Sequence, residues 1–255
     1  DLTGLGSYKG DFEPNISERE YQAITPMINA QYYKEIYVFF DRWLNTTDDD
    51  RVYLDISTND GNSYSNIWQN PGILTADNWT RGISYNINNY ARRTDSIRIR
   101  FALGSTNGYW QLSGWNIDNF VVTGDYISQD VGITNWHAPL GGCGHTDSDS
   151  VTLTVKNFGG KPSKDTIPIV VSLDGGNTAV FDTLFQSIPV DDSVIYTLKK
   201  TVDLSSPGLY DEVLAKTNLS SDEANKNNQY NTSFFIVPTH QPPHHEDFEK
   251  NDGYY

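Results

Sequence analysis

Residues 35–40 read Glu35-Ile36-Tyr37-Val38-Phe39-Phe40, a run of β-branched and aromatic side chains with a period of two. Successive side chains of an extended chain point to opposite faces, so a run of this kind builds a strand with one wet face. The same rhythm returns in Arg51-Val52-Tyr53-Leu54-Asp55-Ile56, in Ser96-Ile97-Arg98-Ile99-Arg100-Phe101 and in Trp115-Asn116-Ile117-Asp118-Asn119-Phe120-Val121-Val122. Turn-formers separate the runs, as in Thr58-Asn59-Asp60-Gly61-Asn62 and Gly104-Ser105-Thr106-Asn107-Gly108, at the spacing of an antiparallel sandwich. No convincing amphipathic helix interrupts the series.

A second rhythm begins near Asp130. Its strands are residues 131–136, Ser150-Val151-Thr152-Leu153-Thr154-Val155, residues 167–173, Val194-Ile195-Tyr196-Thr197-Leu198 and Ser233-Phe234-Phe235-Ile236-Val237. Asp174-Gly175-Gly176 sits where a tight hairpin needs positive φ. The boundary between the two sets falls at Gly124-Asp125-Tyr126, and a proline-stiffened connector, Pro238-Thr239-His240-Gln241-Pro242-Pro243, follows the second. Beyond it, Asp247-Phe248-Glu249-Lys250-Asn251 respells Asp11-Phe12-Glu13-Pro14-Asn15 with one change. That spacing is too long for solenoid repeats of roughly 20–50 residues and suits a pair of domains that starts over. The reading is all-β: a sandwich over 1–125, a second over 126–237, and in 238–255 a linker with the first strand of a further module.

Composition agrees. Tyr (16), Phe (11) and Trp (6) far outnumber Met and Cys (1 each), the balance of pleated surfaces and not of helices. A formal net charge of −15 argues against nucleic acid, which is bound through Lys and Arg. An acidic surface concentrates divalent cations, so calcium is the cofactor to look for. The longest apolar stretch, residues 167–173, is far short of a membrane-spanning helix, and no membrane insertion is expected. The chain begins at Asp1 without methionine or a visible signal peptide, as expected of a processed or excised product. Cys143 has no internal partner for a disulfide and reads as a lone buried thiol.

Residues 8–124 resemble the MAM-like jelly-roll modules of secreted bacterial proteins. The resemblance rests on Asp11-Phe12-Glu13, Phe39-Phe40-Asp41-Arg42-Trp43, residues 50–61, Arg98-Ile99-Arg100-Phe101 and, most diagnostic, Gly114-Trp115-Asn116-Ile117-Asp118-Asn119-Phe120. Residues 130–237 resemble the CARDB-type immunoglobulin-like modules of Bacteroidetes surface proteins. Val151-Thr152-Leu153-Thr154-Val155-Lys156-Asn157-Phe158-Gly159 and the closing Asp222-Glu223-Ala224-Asn225-Lys226-Asn227-Asn228 carry that likeness. What the resemblance implies is a jelly roll followed by an immunoglobulin-like sandwich, exported by the type IX route to the cell surface.

The resemblance also implies sites. A cation held where strand ends converge would draw on Asp11, Glu13, Asp50 and Asp118; the alternative is that Asp48-Asp49-Asp50 is a solvated loop and Asp118 caps a turn. An O-glycosylation triplet, Asp followed by Ser or Thr and a small aliphatic residue or Thr, marks Ser96, Ser150, Thr166, Thr183 and Ser193, although polar residues entering a strand also make it by chance.

Little else is chemical. His240, His244 and His245, with His145, lack zinc spacing and read as solvated. No Gly-x-Ser-x-Gly elbow, His-Glu-x-x-His pair or phosphate-cradling loop occurs, and no carboxylate pair stands out, so no catalytic residue is expected. Sugars stack on exposed rings; Tyr109 and Trp110, in a loop, are the glycan-binding candidates, while Trp43, Trp68, Trp79 and Trp115 fall in strand patterns and read as core. The expected function is a non-catalytic repeat unit of a large secreted or cell-surface protein, a stalk and adhesin module whose partners are neighbouring modules, other surface proteins or glycans. The alternative is an accessory substrate- or glycan-binding module of a secreted peptidase or polysaccharide-degrading enzyme.

Overall fold

The computed structural model describes residues 20–46, 50–72, 74–75, 78–104 and 114–239. The chain divides into two compact units, Asp1–Ile127 and Ser128–Tyr255. The break falls just past Gly124-Asp125-Tyr126, where the sequence places the boundary; these are the last residues of a long strand.

The first unit holds β1 (Tyr21–Ile24), β2 (Tyr33–Thr46), β3 (Val52–Ser57), β4 (Ser65–Gln69), β5 (Leu74–Thr75), β6 (Thr80–Asn86), the single turn α1 (Asn88–Ala91), β7 (Arg98–Leu103) and β8 (Gly114–Tyr126). Each of the four runs picked out by alternation falls on one of these strands: β2, β3, β7 and β8. Pairing is antiparallel throughout. One sheet runs β1-β7-β3-β4; in the other, β5 and β6 follow one another along one side of β2 while β8 pairs with the opposite side. Even-numbered residues of β2 turn inward: Ile36, Val38 and Phe40 join Leu54, Ile56, Ile97 and Ile99 in one buried cluster, and Leu44 is buried as well. Phe40 packs edge-on against Phe101 from the facing sheet, ring centroids 5.3 Å apart.

On the outer side of the first sheet, Asp55 of β3 lies opposite Arg100 of β7. Arg100 donates from Nη2 (2.7 Å) and Nε (3.1 Å) to Asp55 Oδ2, and Asn66 Nδ2 donates to Oδ1 at 2.8 Å. The guanidinium also lies 4.1 Å from the centre of the Tyr64 ring.

The second unit holds β9 (Val131–Ala138), β10 (Asp149–Asn157), β11 (Ile167–Ser172), β12 (Val180–Leu184), β13 (Ser193–Val202), β14 (Gly208–Thr217), a 3-10 turn at Asn225–Asn227 and β15 (Gln229–Ile236). Its sheets are β13-β10-β9 and β12-β11-β14-β15. Past β9 the chain crosses to the second sheet, where Gly142 N–H donates to Phe235 O and Val237 N–H to Gly142 O, beside a parallel bridge to Ile236. This is an immunoglobulin-like sandwich, with Val151, Leu153 and Val155 of one sheet in the same buried cluster as Ile167, Ile169 and Val171 of the other. Gly132 of β9 is fixed by close approach: a Cβ there would lie 2.3 Å from the Asn227 carbonyl oxygen. Backbone cannot yield as a side chain does, so Gly132→Ala is expected to destabilise this unit by about 1–3 kcal/mol. A fall in the urea midpoint at constant slope would show it.

The hairpins β3–β4 and β11–β12 turn by one device. Ser57 Oγ donates to Asn59 Oδ1 (2.9 Å) and accepts Gly61 N–H (2.8 Å), while Asn59 Oδ1 accepts Ser63 N–H (2.9 Å). Ser172 Oγ donates to Asp174 Oδ1 (2.7 Å) and accepts Gly176 N–H (2.8 Å), while Asp174 Oδ1 accepts Thr178 N–H (2.8 Å). The hydrogen bonds from Thr178 and Ser172 hold the Asp174 carboxyl at about 2, well below its ordinary value. An unfolded Asp titrates near 3.9, so the contribution of this carboxylate to stability is complete above about pH 4 and is lost as pH falls through about 2. Asp174→Asn, which gives this turn the residue found in the other, is therefore expected to lower the urea midpoint at neutral pH and to coincide with wild type near pH 2.

Candidate binding face

Because even positions of β2 face the core, Tyr37, Phe39, Asp41 and Trp43 face outward. Both flanking strands carry one extra residue opposite Asp41. On β8 the pairing steps from Val121 to Asp118 while β2 advances from Phe39 to Asp41; on β6 it steps from Ile83 to Thr80 while β2 advances from Phe40 to Arg42. The extra residues take positive φ, Asn119 at 53° and Gly82 at 65°, the left-handed geometry of a bulge. Asp41 holds both: Gly82 N–H donates to Oδ1 at 2.7 Å and Asn119 Nδ2 to Oδ2 at 2.8 Å. The Asn119 amide first, and the Gly82 N–H after it, hold the Asp41 carboxyl below its ordinary value, so it is an anion at neutral pH.

Aromatic pairs lie on either side of this carboxylate. Tyr37 and Phe39 are 6.0 Å apart, centroid to centroid, and Trp43 meets Trp79 edge-on at 6.4 Å. Phe39 is 36% exposed, Trp79 39%, and Val121, opposite Phe39, 48%; apolar surface thus reaches solvent where a strand face is ordinarily polar. Phe39 and Trp43 are four positions apart, about 13 Å along the strand. A face with rings at both ends and carboxylate oxygens and an amide between them suits a ligand with apolar C–H faces and many hydroxyls.

Of the expected cation ligands, the two that are described, Asp50 and Asp118, lie apart. Asp118 is the cross-strand neighbour of Asp41, and its Oδ1 accepts the N–H of Asn119 at 2.8 Å. The Asp50 carbonyl accepts from Asn70, which also reaches Thr46 Oγ1, so Asp50 lies near the far end of β2, roughly 16 Å of strand from Asp41. Asp11 and Glu13, and the glycan candidates Tyr109 and Trp110, lie outside the described residues, as do Asp48, Asp49, His240, His244 and His245. Among the described residues no group of three His, Cys, Asp or Glu side chains gathers. Of the glycosylation candidates, Ser150, Thr166 and Ser193 are exposed, and Ser96 and Thr183 are half-buried.

Three expectations are corrected. Trp68 and Trp115 pack on the core, but Trp43 and Trp79 form the outward pair; counting by twos from Val38 puts Trp43 on the outer face. Cys143 is exposed, not buried, because it follows the Gly142 crossing point, between two glycines of positive φ. His145 is not a free solvated ring: its Nδ1 lies 3.1 Å from Asp149 Oδ1.

No protein-family model matches the chain, and no curated protein sequence matches it. Among solved structures it is similar to the β-glucuronidase of Faecalibacterium prausnitzii (15% identity, 86% of this chain and 37% of that one, TM-score 0.24). It is also similar to that of Ruminococcus gnavus (11%, 86% and 36%, 0.24) and to β-glucuronidase 2 of Bacteroides uniformis (10%, 84% and 26%, 0.24). The chain spans about a third or less of those proteins' length. Likeness at this level assigns neither family nor activity.

Proposed function

We propose that the chain is a non-catalytic repeat module of a large secreted or cell-surface protein, part stalk and part adhesin, and that it adheres through the outer face of β2, β6 and β8. The single observation that carries the adhesive role is the exposure of one ring from each of two aromatic pairs, Phe39 and Trp79, around an anionic Asp41 whose geometry two bulges fix. Exposed rings so arranged mark a contact surface and not packing left over from folding. The ligand class that suits them is a glycan, with ring faces for its C–H surfaces and Asp41, Asp118 and Asn119 for its hydroxyls. The respelling of residues 11–15 at 247–251 supports repetition, and neighbouring copies are then the module's constant partners. In this reading the MAM-like and CARDB-type resemblances describe a jelly-roll and immunoglobulin-like pair of the Bacteroidetes surface kind.

A glycan array probed with the 255-residue chain tests the proposal. Saturable binding is expected, and Trp43→Ala and Trp79→Ala are each expected to weaken it by about 30-fold, the effect of losing a central aromatic anchor worth about 2 kcal/mol. Binding that is absent, or indifferent to both substitutions, would remove this face as the adhesive surface.

A further inference from the structure

Arg42 stands on the inward side of β2, between Phe40 and Leu44, and it is the one cation among the even positions from Ile36 to Thr46. Its cross-strand neighbours are Ile117 on β8 and Thr80 on β6. Its guanidinium carbon lies 4.4 Å from the centre of the Trp68 ring, which belongs to the opposite sheet. Trp68 also touches Tyr85, at 6.4 Å between centroids, and Trp115, at 6.3 Å. Burial pushes the Tyr85 phenol up, and Arg42, through its charge and a side-chain hydrogen bond to that hydroxyl, pulls it partly back.

Two donors in this box are shielded from solvent and meet no acceptor: Nη1 of Arg42 and Nε1 of Trp115. The contrast with the outer sheet face is sharp, since Arg98 and Arg100 are each paired with a carboxylate. A guanidinium cannot shed its proton to relieve burial, as a lysine or histidine can. A stacked guanidinium still presents its N–H edge, and that edge matches two coplanar oxygens.

We infer that Arg42 and the Trp115 indole N–H, walled by Trp68 and Tyr85, form a binding site for a small carboxylate. A flat monoanion fits the requirement: one oxygen takes the Arg42 N–H, the same or the second takes the indole N–H, and the rings cover the remainder. The site is independent of the outer aromatic face, which lies on the other side of β2.

Acetate is the probe, with acetamide as its uncharged counterpart, and the readout is the indole N–H region of the nitrogen–proton spectrum of the full chain. Trp115→Phe identifies the Trp115 signal. Acetate is expected to shift that signal saturably, acetamide to leave it in place, and Arg42→Met to abolish the acetate shift. In parallel, the wild-type melting temperature is expected to rise with acetate over chloride at equal ionic strength, as binding to the folded state alone requires, and the Arg42→Met melt is expected not to respond. Should either variant fail to fold, the acetate-against-acetamide comparison on wild type still decides. An unmoved Trp115 signal and acetate-indifferent melts, or equal shifts with acetamide, would overturn the proposal.

Discussion

Replacing Arg100 with methionine is expected to lower the stability of the first unit by about 3–5 kcal/mol, although no apolar contact of the core is touched. The Asp55 side chain is 5% exposed and that of Arg100 19%, and two N–H groups of the guanidinium converge on one oxygen. Without the arginine, a carboxylate on β3 keeps the Asn66 amide as a side-chain donor, in surroundings that water reaches poorly. The penalty belongs to the stranded charge and not to the bond as such. Asp55→Leu combined with Arg100→Met is therefore expected to recover most of the loss, because two apolar residues of fitting volume leave nothing unsolvated. Arg98 and Asp60 supply the control on the same sheet. Their side chains are 30% and 62% exposed, so Arg98→Met is expected to cost less than about 1 kcal/mol. Urea unfolding followed by tryptophan fluorescence reads the first unit, since every tryptophan but Trp136 lies in it. A double variant no more stable than Arg100→Met would mean that the pair shapes the sheet in a way that charge alone does not describe.

How much of this was legible beforehand follows from what each feature depends on. Alternation along 35–40, 51–56, 96–101 and 115–122 depends on local chain geometry alone, and those runs are strands of the structure. The turns at residues 58–62 and 174–176 were visible through their glycines and asparagines, yet their common spelling, Ser-x-Asn/Asp-x-Gly-x-Ser/Thr, carries the hydrogen bonds and could have been read from Ser57 and Ser172. Parity along β2 likewise sufficed to turn Trp43 outward and Arg42 inward. The two bulges opposite Asp41 were beyond reach. They arise because β6 and β8 each carry one residue more than β2 over the same span, and no property of Asn119 or Gly82 alone announces it. The failure to gather Asp50 and Asp118 has the same root: both are acids beside strands, and only the register puts one at Asp41 and the other near Thr46.

Phe39 and Phe40 make the sharpest test of that register, since two identical neighbours are assigned to opposite faces. Phe40 is 1% exposed and sits among Phe101, at 5.3 Å, and Tyr85, at 6.1 Å. Truncating it removes a ring's worth of buried apolar surface and leaves a cavity that two rigid sheets cannot close. Phe40→Ala is thus expected to cost about 3–5 kcal/mol, a large share of the stability of a domain this size. Phe39 is 36% exposed and leans on Tyr37, so Phe39→Ala is expected to change stability by about 0.5 kcal/mol or less. Its cost should appear instead in binding, because Phe39 forms one end of the aromatic face. The two substitutions should therefore separate completely: the urea midpoint falls for Phe40→Ala and holds for Phe39→Ala, while glycan binding by the folded protein falls for Phe39→Ala. Equal losses of stability from both would mean that the outer face of β2 is covered in the folded protein, and an adhesive surface there would have to be given up.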